Sequence, residues 1–440
     1  MPSWAALRQR EKAIPDYRFV EAPAHCAVVS GYGSGFQQSE SGGASTSCGG
    51  RSLSVVTFSN IRRSRKGRLD VSVDEDGDSS ELYFDLGVRH KPADDVVALA
   101  LALLVGSKYQ TIVYEGIEAP VECRETIEKI SRGKVELKER GSRPHRVGKR
   151  SVLAFSGGFD SLAAVSMMPP RSKRFSFDFG GKFARERPFF ERFDTTIVET
   201  NLVDEGFNRH HWEFMLAGAI LLNDHFRIDH LATGGVFGLA ALDLMKNSRT
   251  WDTPPSAAQE YLGITPYFPV RGLTEAGTAA IVHHRYPHLL ADSLTSLANP
   301  KEGKYTRKIL MMRAYQASLG RTELWPDIPT AGPWYVWGKS FTEDFVSMFM
   351  IKHLGVEPVQ ASYRNPIPDE AVAAAKDLSL DFYLKVFPEQ MWGKNNDLAH
   401  RVFETALAAG MGIYGRSDFR ELEQVVTMLY PQGSETLVVR

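Results

Sequence analysis

The chain has 440 residues, enough for two or three domains, and an apolar content of 43%, which is ordinary for a globular protein with a sizeable core. Its 52 Lys and Arg balance 53 Asp and Glu to a formal net charge of −1, so no whole-molecule electrostatic case exists for nucleic-acid or membrane binding and only local patches remain. The three cysteines, Cys26, Cys48 and Cys123, are widely spaced and form no C-x-x-C, which suggests neither a disulfide framework nor a cysteine zinc site and fits a reducing cytoplasm.

No stretch approaches 18 uninterrupted apolar residues and the first residues lack the apolar core of a signal peptide, so neither a membrane span nor secretion is expected. Residues 30–50 are rich in Gly and Ser and read as a mobile loop, with a lid or a glycine-lined phosphate contact as the alternatives. From residue 52 the pattern turns to strands, with Asp76-Gly77 as a hairpin signal between two alternating runs. Pro92 and Asp94 start a helix that runs to 105. A strand follows at 111–114, a helix at 121–130 and a strand at 134–137. These elements describe an α+β N-terminal domain, residues 1–145. The basic run ERGSRPHRVGKR, residues 139–150, reads as a linker.

The chain is organised around SVLAFSGGFDSLAAVSMM, residues 151–168: an apolar strand, a glycine loop, then a helix. Gly157 and Gly158 let backbone amides approach an anion with no Cβ in the way, and the following helix aims its unpaired N–H groups and positive dipole end at the same place. Ser156 and Ser161 add hydroxyl donors, and Asp160 can bind Mg²⁺ or cap the helix. No G-x-x-x-x-G-K-[ST] pattern is present, so this is not a Walker A loop. Strands at 174–179, 195–200 and 228–233, with a long helix at 211–226 between the last two, argue an α/β fold with a doubly wound parallel sheet. Ligands of such sheets sit at the carboxyl ends of the strands, where the glycine loop, the turn at 177–181 and the turn at 233–235 all fall. Arg209, at the start of the long helix, is a candidate phosphate ligand.

SGGFDS resembles the SGGxDS signature of the PP-loop ATP pyrophosphatases. That resemblance implies that Ser156, Gly157, Gly158, Phe159, Asp160 and Ser161 hold the pyrophosphate of ATP, with Mg²⁺ on Asp160, while a substrate carbonyl oxygen attacks the α-phosphorus. It further implies that Phe177 and Asp178 line the adenine and that Gly234 approaches the ribose and phosphates. The layout of residues 265–315 is similar to that of the 7-cyano-7-deazaguanine synthases, without that family's zinc cysteines, so the resemblance implies no zinc and leaves the particular substrate open. The likeness is specific over about 85 residues from Ser151, loose to Tyr315 and absent elsewhere. The ATP domain is thus expected at 146–320.

Lys301, Lys304, Arg307 and Lys308 are expected either to meet a departing pyrophosphate, with Lys304 and Arg307 as catalytic candidates, or to form a solvated basic face. Trp325, Trp334, Tyr335, Trp337 and Lys339, among Pro and Gly, either stack on a flat heterocycle or pack a loop. Residues 321–440 read as a helical region, with helices at 343–354, 369–386, 398–409 and 419–429, where a homodimer interface could lie. Cys123, near a helix start beside Arg124, is a candidate sulfur carrier as well as an ordinary core residue.

The expectation is adenylation of a small heteroaromatic substrate, then replacement of AMP by nitrogen or sulfur, with a donor protein for ammonia or sulfur as a partner. Two other readings are a tRNA-thiolating enzyme and a non-catalytic nucleotide-binding subunit of a larger complex.

Overall fold

In a computed structural model of the chain, the described residues are 54–142, 148–237, 254–321, 328, 332–391 and 396–430. The Gly/Ser-rich segment 30–50 and Trp325 lie outside them. The first alternating run folds as three antiparallel strands, β1 (Val55–Arg63), β2 (Arg68–Glu75) and β3 (Asp78–Asp85). Asp76 and Gly77 take φ of 54° and 98°, the left-handed pair that a two-residue hairpin needs. Helix α1 (Asp94–Val105) then leads to β4 (Thr111–Ala119), α2 (Val121–Ser131) and β5 (Lys134–Glu139), and β4 joins β1 in parallel.

The second run of strands is β6 (Arg150–Ala154), β7 (Lys173–Asp178), β8 (Thr196–Thr200), β9 (Ile228–Ala232) and β10 (Thr265–Tyr267). All five are parallel, in the order β10-β9-β6-β7-β8, which leaves a topological switch point between β6 and β9. A short antiparallel pairing, Phe84 with Thr200 and Asp85 with Glu199, joins β3 to β8 and makes one ten-stranded sheet of the two runs. The protein is therefore α/β with a large, mostly parallel sheet.

The two halves of the sheet are covered differently. On one face of β1–β3, Val56, Phe58, Leu69, Val71, Leu82 and Phe84 are fully buried, while Thr57, Asp70 and Ser72 on the other face stay partly exposed. In β6 consecutive residues face separate cores: Val152 shares one with α1, and Leu153 shares the other with α3 (Phe159–Met167). Helix α4 (Ala217–Leu221) packs against α1 on the first side. On the second side lie α5 (Glu275–Arg285), α6 (Leu290–Leu297), α7 (Gly303–Ser318) and α8 (Phe341–Leu354). They are followed by α9 (Asp369–Asp377), α10 (Asn396–Ala408) and α11 (Arg416–Leu429).

Two expected helices are shorter than their patterns. Residues 211–226 do not form one helix: a 3₁₀ stretch at Trp212–Leu216 precedes α4, and a new turn begins at Asn223 after Leu222 leaves helical geometry. Asn and Asp compete with helix continuation through their own side-chain hydrogen bonds, and Asn223-Asp224 sits at that break. Residues 369–386 stop being helical at Asp377. The Glu421 carboxylate there accepts from the amides of Ser379 and Leu380 and redirects the chain into the short strand β11 (Lys385–Val386), beside β12 (Gly412–Ile413).

Candidate functional site

The glycine loop joins β6 to α3 at the switch point. Gly157 has φ of 73°, and a Cβ there would lie 2.9 Å from Phe189 and 3.0 Å from Ser296 Oγ, so the position accepts only glycine. Gly158 is the N-cap of α3, and its carbonyl accepts from Leu162 N to close the first turn. Among the described residues, the amides of Gly157, Gly158, Asp160 and Ser161 have no acceptor. Hydroxyls brace the loop from within: Ser156 Oγ donates to Ser161 Oγ (3.2 Å), and Ser161 Oγ donates to Gly158 O (3.0 Å). Helix α6 braces it from outside, where Ser293 Oγ donates to Gly157 O at 2.6 Å. Gly157, Gly158 and Phe159 are buried, Asp160 is half-buried and Ser156 is exposed, so the loop is open to solvent on the Ser156 and Asp160 side.

Gly234, after β9, meets the same helix start. A Cβ there would come within 3.0 Å of Ser161 N and 3.2 Å of Asp160 C, which is why this turn carries no side chain. The expected neighbourhood of Gly234 and the glycine loop is thus present.

Beside α3 lies a network of alternating charge. Thr278 Oγ1 donates to Asp160, and Lys308 Nζ sits 3.6 Å from the other Asp160 oxygen and 2.7 Å from Glu275. Arg307 reaches Glu275 at 3.4 Å and Glu343 at 2.7 Å. Burial alone would raise the Glu275 carboxyl, but Arg307 and Lys308 together outweigh it and hold Glu275 below the carboxylate range. For Glu343 burial wins over Arg307 and the carboxyl is pushed up. A cavity of about 10 Å³, room for one water, touches Glu275 between Val236, Phe237, Thr274 and Tyr383.

These pairings revise the expected role of Arg307. It is 3% exposed and committed to two carboxylates, so it anchors α7 to α5 and α8 and does not reach out to a phosphate. Lys308 is likewise buried and paired, whereas Lys301 is exposed. Lys304, half-buried one turn earlier on α7, makes no ion pair among the described residues. Burial, then the neighbouring Lys308 and Arg307, lower its pKa.

Phe177 and Asp178 end β7. The Phe177 ring points into the core shared with α1, stacks on Phe179 at 5.1 Å, and leaves no room for a side chain at Gly218. It is a packing residue, so its ring does not line a nucleotide site. Asp178 Oδ1 accepts from Gly180 N and Oδ2 meets Arg187 at 3.1 Å, which shapes the turn into the 3₁₀ segment Gly181–Glu186. Glu186, at the end of that segment, feels both Asp178 and Lys304, and burial pushes its carboxyl up to about 7. Trp334 and Tyr335 crowd Gly303 at the start of α7: a Cβ there would lie 2.6 Å from Trp334 and 3.1 Å from the Tyr335 hydroxyl.

Cys123 belongs elsewhere. It is fully buried in the core of the first half, its Sγ lies 3.6 Å from Asp95 O, and burial pushes the thiol far above its ordinary value. Arg124, expected to favour a thiolate, pairs instead with Glu128 and Glu139. Of the two readings of Cys123, its surroundings are those of an ordinary core residue. Arg209 sits on a 3₁₀ turn at Phe207–Arg209 whose next residue, His210, contacts Lys108 at 3.1 Å.

Among the described residues no group of three or more His, Cys, Asp or Glu is arranged to hold a metal ion. Glu275, Thr278 and Glu343 were not singled out from sequence, although a signal exists: Lys304, Arg307 and Lys308 at i, i+3 and i+4 share one helix face, and any of these cations that the fold buries requires carboxylates from its neighbours. No family model, curated protein or solved structure matches the chain.

Proposed function

We propose that the chain is an ATP-dependent adenylating enzyme of the PP-loop type, its β6-to-β10 half being a PP-loop nucleotide domain. A carbonyl oxygen of a small, heteroaromatic substrate attacks the α-phosphorus, the bond to the bridging oxygen breaks and pyrophosphate leaves. Nitrogen or sulfur then attacks the activated carbon and AMP departs with the original oxygen. The observation that supports this reading is a Gly-Gly turn with four amides free of acceptors, at the N-terminus of α3 and at the switch point of a parallel sheet.

In this reading the loop amides take the pyrophosphate and Lys304 is the cation left to meet charge developing at the α-phosphate. Mg²⁺ is usually held by one or two carboxylates together with phosphate oxygens, and Asp160, with 28% of its side chain exposed, fits as that carboxylate. Mg²⁺ would supply charge neutralisation on the phosphates. Thr278 and Lys308 fix the Asp160 carboxylate in place. Because Cys123 is sealed in the core, sulfur would have to come from outside the described residues, and an amine or ammonia needs no protein nucleophile.

A second reading, a nucleotide-binding subunit without turnover, is favoured by the burial of Gly157 and Gly158 and by the neutralisation of Arg307 and Lys308. Pyrophosphate release from ATP in the presence of small-molecule extracts separates the two. Release that Asp160→Ala lowers at least about a hundredfold supports the enzyme. ATP binding by calorimetry without release supports the subunit, and neither binding nor release sinks both.

A further inference from the structure

The edge of the sheet opposite the glycine loop carries a different set of cations. The β1–β2 hairpin ends in Arg62, Arg65 and Lys66, all exposed, while their neighbours Arg63 and Arg68 are already paired with Asp94 and Asp70. The tip rests on the chain that leaves β3: a Cβ at Gly67 would lie 2.1 Å from Val88 O, and the next residues bring exposed Arg89 and Lys91. His90, between them, has its ring 5.9 Å from that of His225, just before β9. His225 in turn lies within the field of Arg150 at the start of β6 and Lys173 at the start of β7. Lys149, Arg150 and Arg171 complete the row, all exposed.

Among the described residues none of Arg62, Arg65, Lys66, Arg89, Lys91 and Arg150 makes an ion pair, and the same is true of Lys149 and Arg171. Asp194 neutralises only Lys173, at 3.6 Å. His90 is held below the ordinary histidine pKa by burial first and by His225 second, against the opposing Asp224 carboxylate, and His225 by burial first and by Arg150 and Lys173 second. The packing of the hairpin tip on Val88 and the ring contact of His90 with His225, with Arg150 and Lys173 near enough to act on the His225 charge, set these groups along one edge of the sheet.

We infer that this rim is a binding surface for the phosphodiester backbone of a nucleic acid, separate from the candidate nucleotide site. The rim follows seven strands in the order β9-β6-β7-β8-β3-β2-β1. Six inter-strand steps of about 4.8 Å give it a length of about 29 Å, the span of several consecutive phosphates. Sheet twist of about 20–25° per step turns one end relative to the other by more than a right angle. A flat bilayer surface meets only part of such a rim, whereas a polymer that curves with it meets all of it. The near-zero net charge does not oppose this, because binding responds to the local field. The inference does not depend on adenylating activity, since none of these residues touches the glycine loop.

The test is fluorescence anisotropy of the full chain with labelled single-stranded RNA and with duplex DNA, in parallel with sedimentation on phosphatidylserine-containing vesicles. If about five phosphates are neutralised, affinity for single-stranded RNA falls roughly a hundredfold between about 50 and 200 mM salt. The combined variant Arg62→Glu, Arg65→Glu, Lys66→Glu weakens binding at low salt by about tenfold or more and flattens the salt dependence. Lys149→Glu with Arg150→Glu does the same from the other end of the rim. Neutral variants, Arg62→Gln, Arg65→Gln, Lys66→Gln, give a smaller loss in the same direction and guard against misfolding of the reversed-charge chain. Tighter binding of either the single strand or the duplex supports the assignment and identifies the form. It is overturned by absence of binding at low salt, by binding that salt does not weaken, by variants that bind like the unmodified chain, or by vesicles bound as tightly as RNA.

Discussion

At the carboxyl edge of the parallel strands, Arg307 and Lys308 are almost wholly buried and each shares the Glu275 carboxylate. At the amino edge, cations of the same kinds are exposed and unmatched. A buried cation has lost its water and must have a fixed partner, so it contributes rigidity and a set geometry. An exposed one keeps its water and costs the fold almost nothing, so it remains available to a ligand and is weakened by salt. The same residue types thus position a loop at one edge and present an open field at the other.

The largest expected effect comes from breaking the buried set. Glu275→Ala leaves Arg307 and Lys308 each short of a carboxylate and should cost about 3–5 kcal/mol of stability, read from the urea unfolding midpoint, whereas the triple hairpin variant should stay within about 0.5 kcal/mol of the unmodified chain. Equal losses from the two would erase the distinction between the edges.

Next in size is Gly234→Ala. The added Cβ meets backbone of Asp160 and Ser161, which cannot rotate away, so about 1–3 kcal/mol is expected. ATP affinity should fall with it because the start of α3 is displaced, and RNA affinity should not.

The third effect is in pH. Glu186 binds its proton more tightly folded, near pH 7, than unfolded, near the ordinary glutamate value, so the native state holds the extra proton between those limits. Its contribution to stability is therefore full at low pH and is lost as pH rises through about 7. His90 and His225, with lowered values, act in the opposite sense, losing stability as pH falls below the ordinary histidine range. Subtracting the stability profile of Glu186→Gln from that of the unmodified chain isolates the first trend. A flat difference between pH 5 and 8 would show that Glu186 is not held in its protonated form.

Much of the scaffold could be read from local pattern. The hairpin at Asp76-Gly77, α1 from Asp94 and the strand-loop-helix around Gly157 each rest on neighbours in sequence, and each forms where expected. The sites that escaped depend on distant residues. Nothing near Cys123 announces that Asp95 and Tyr261 will close over it, and nothing near Arg307 announces Glu343 on another helix. Phe177 shows the same limit: its place at a strand end is legible, but which face its ring takes is decided by Gly218. The amino-edge rim was hidden for a related reason, since its lysines and arginines come from four chain segments that only the strand order brings side by side.

Helix α1 has consequences for any attempt to dissect the protein. Every residue from Asp95 to Val105 is buried, because β1–β4 cover one flank and α4 with the 3₁₀ stretch before it covers the other. A fragment ending near residue 145 would hold this helix with half of its greasy circumference bare, and the complementary fragment would lose the lid of its own core. The interval that composition marks as a natural place to cut would separate two pieces that each need the other to stay in solution.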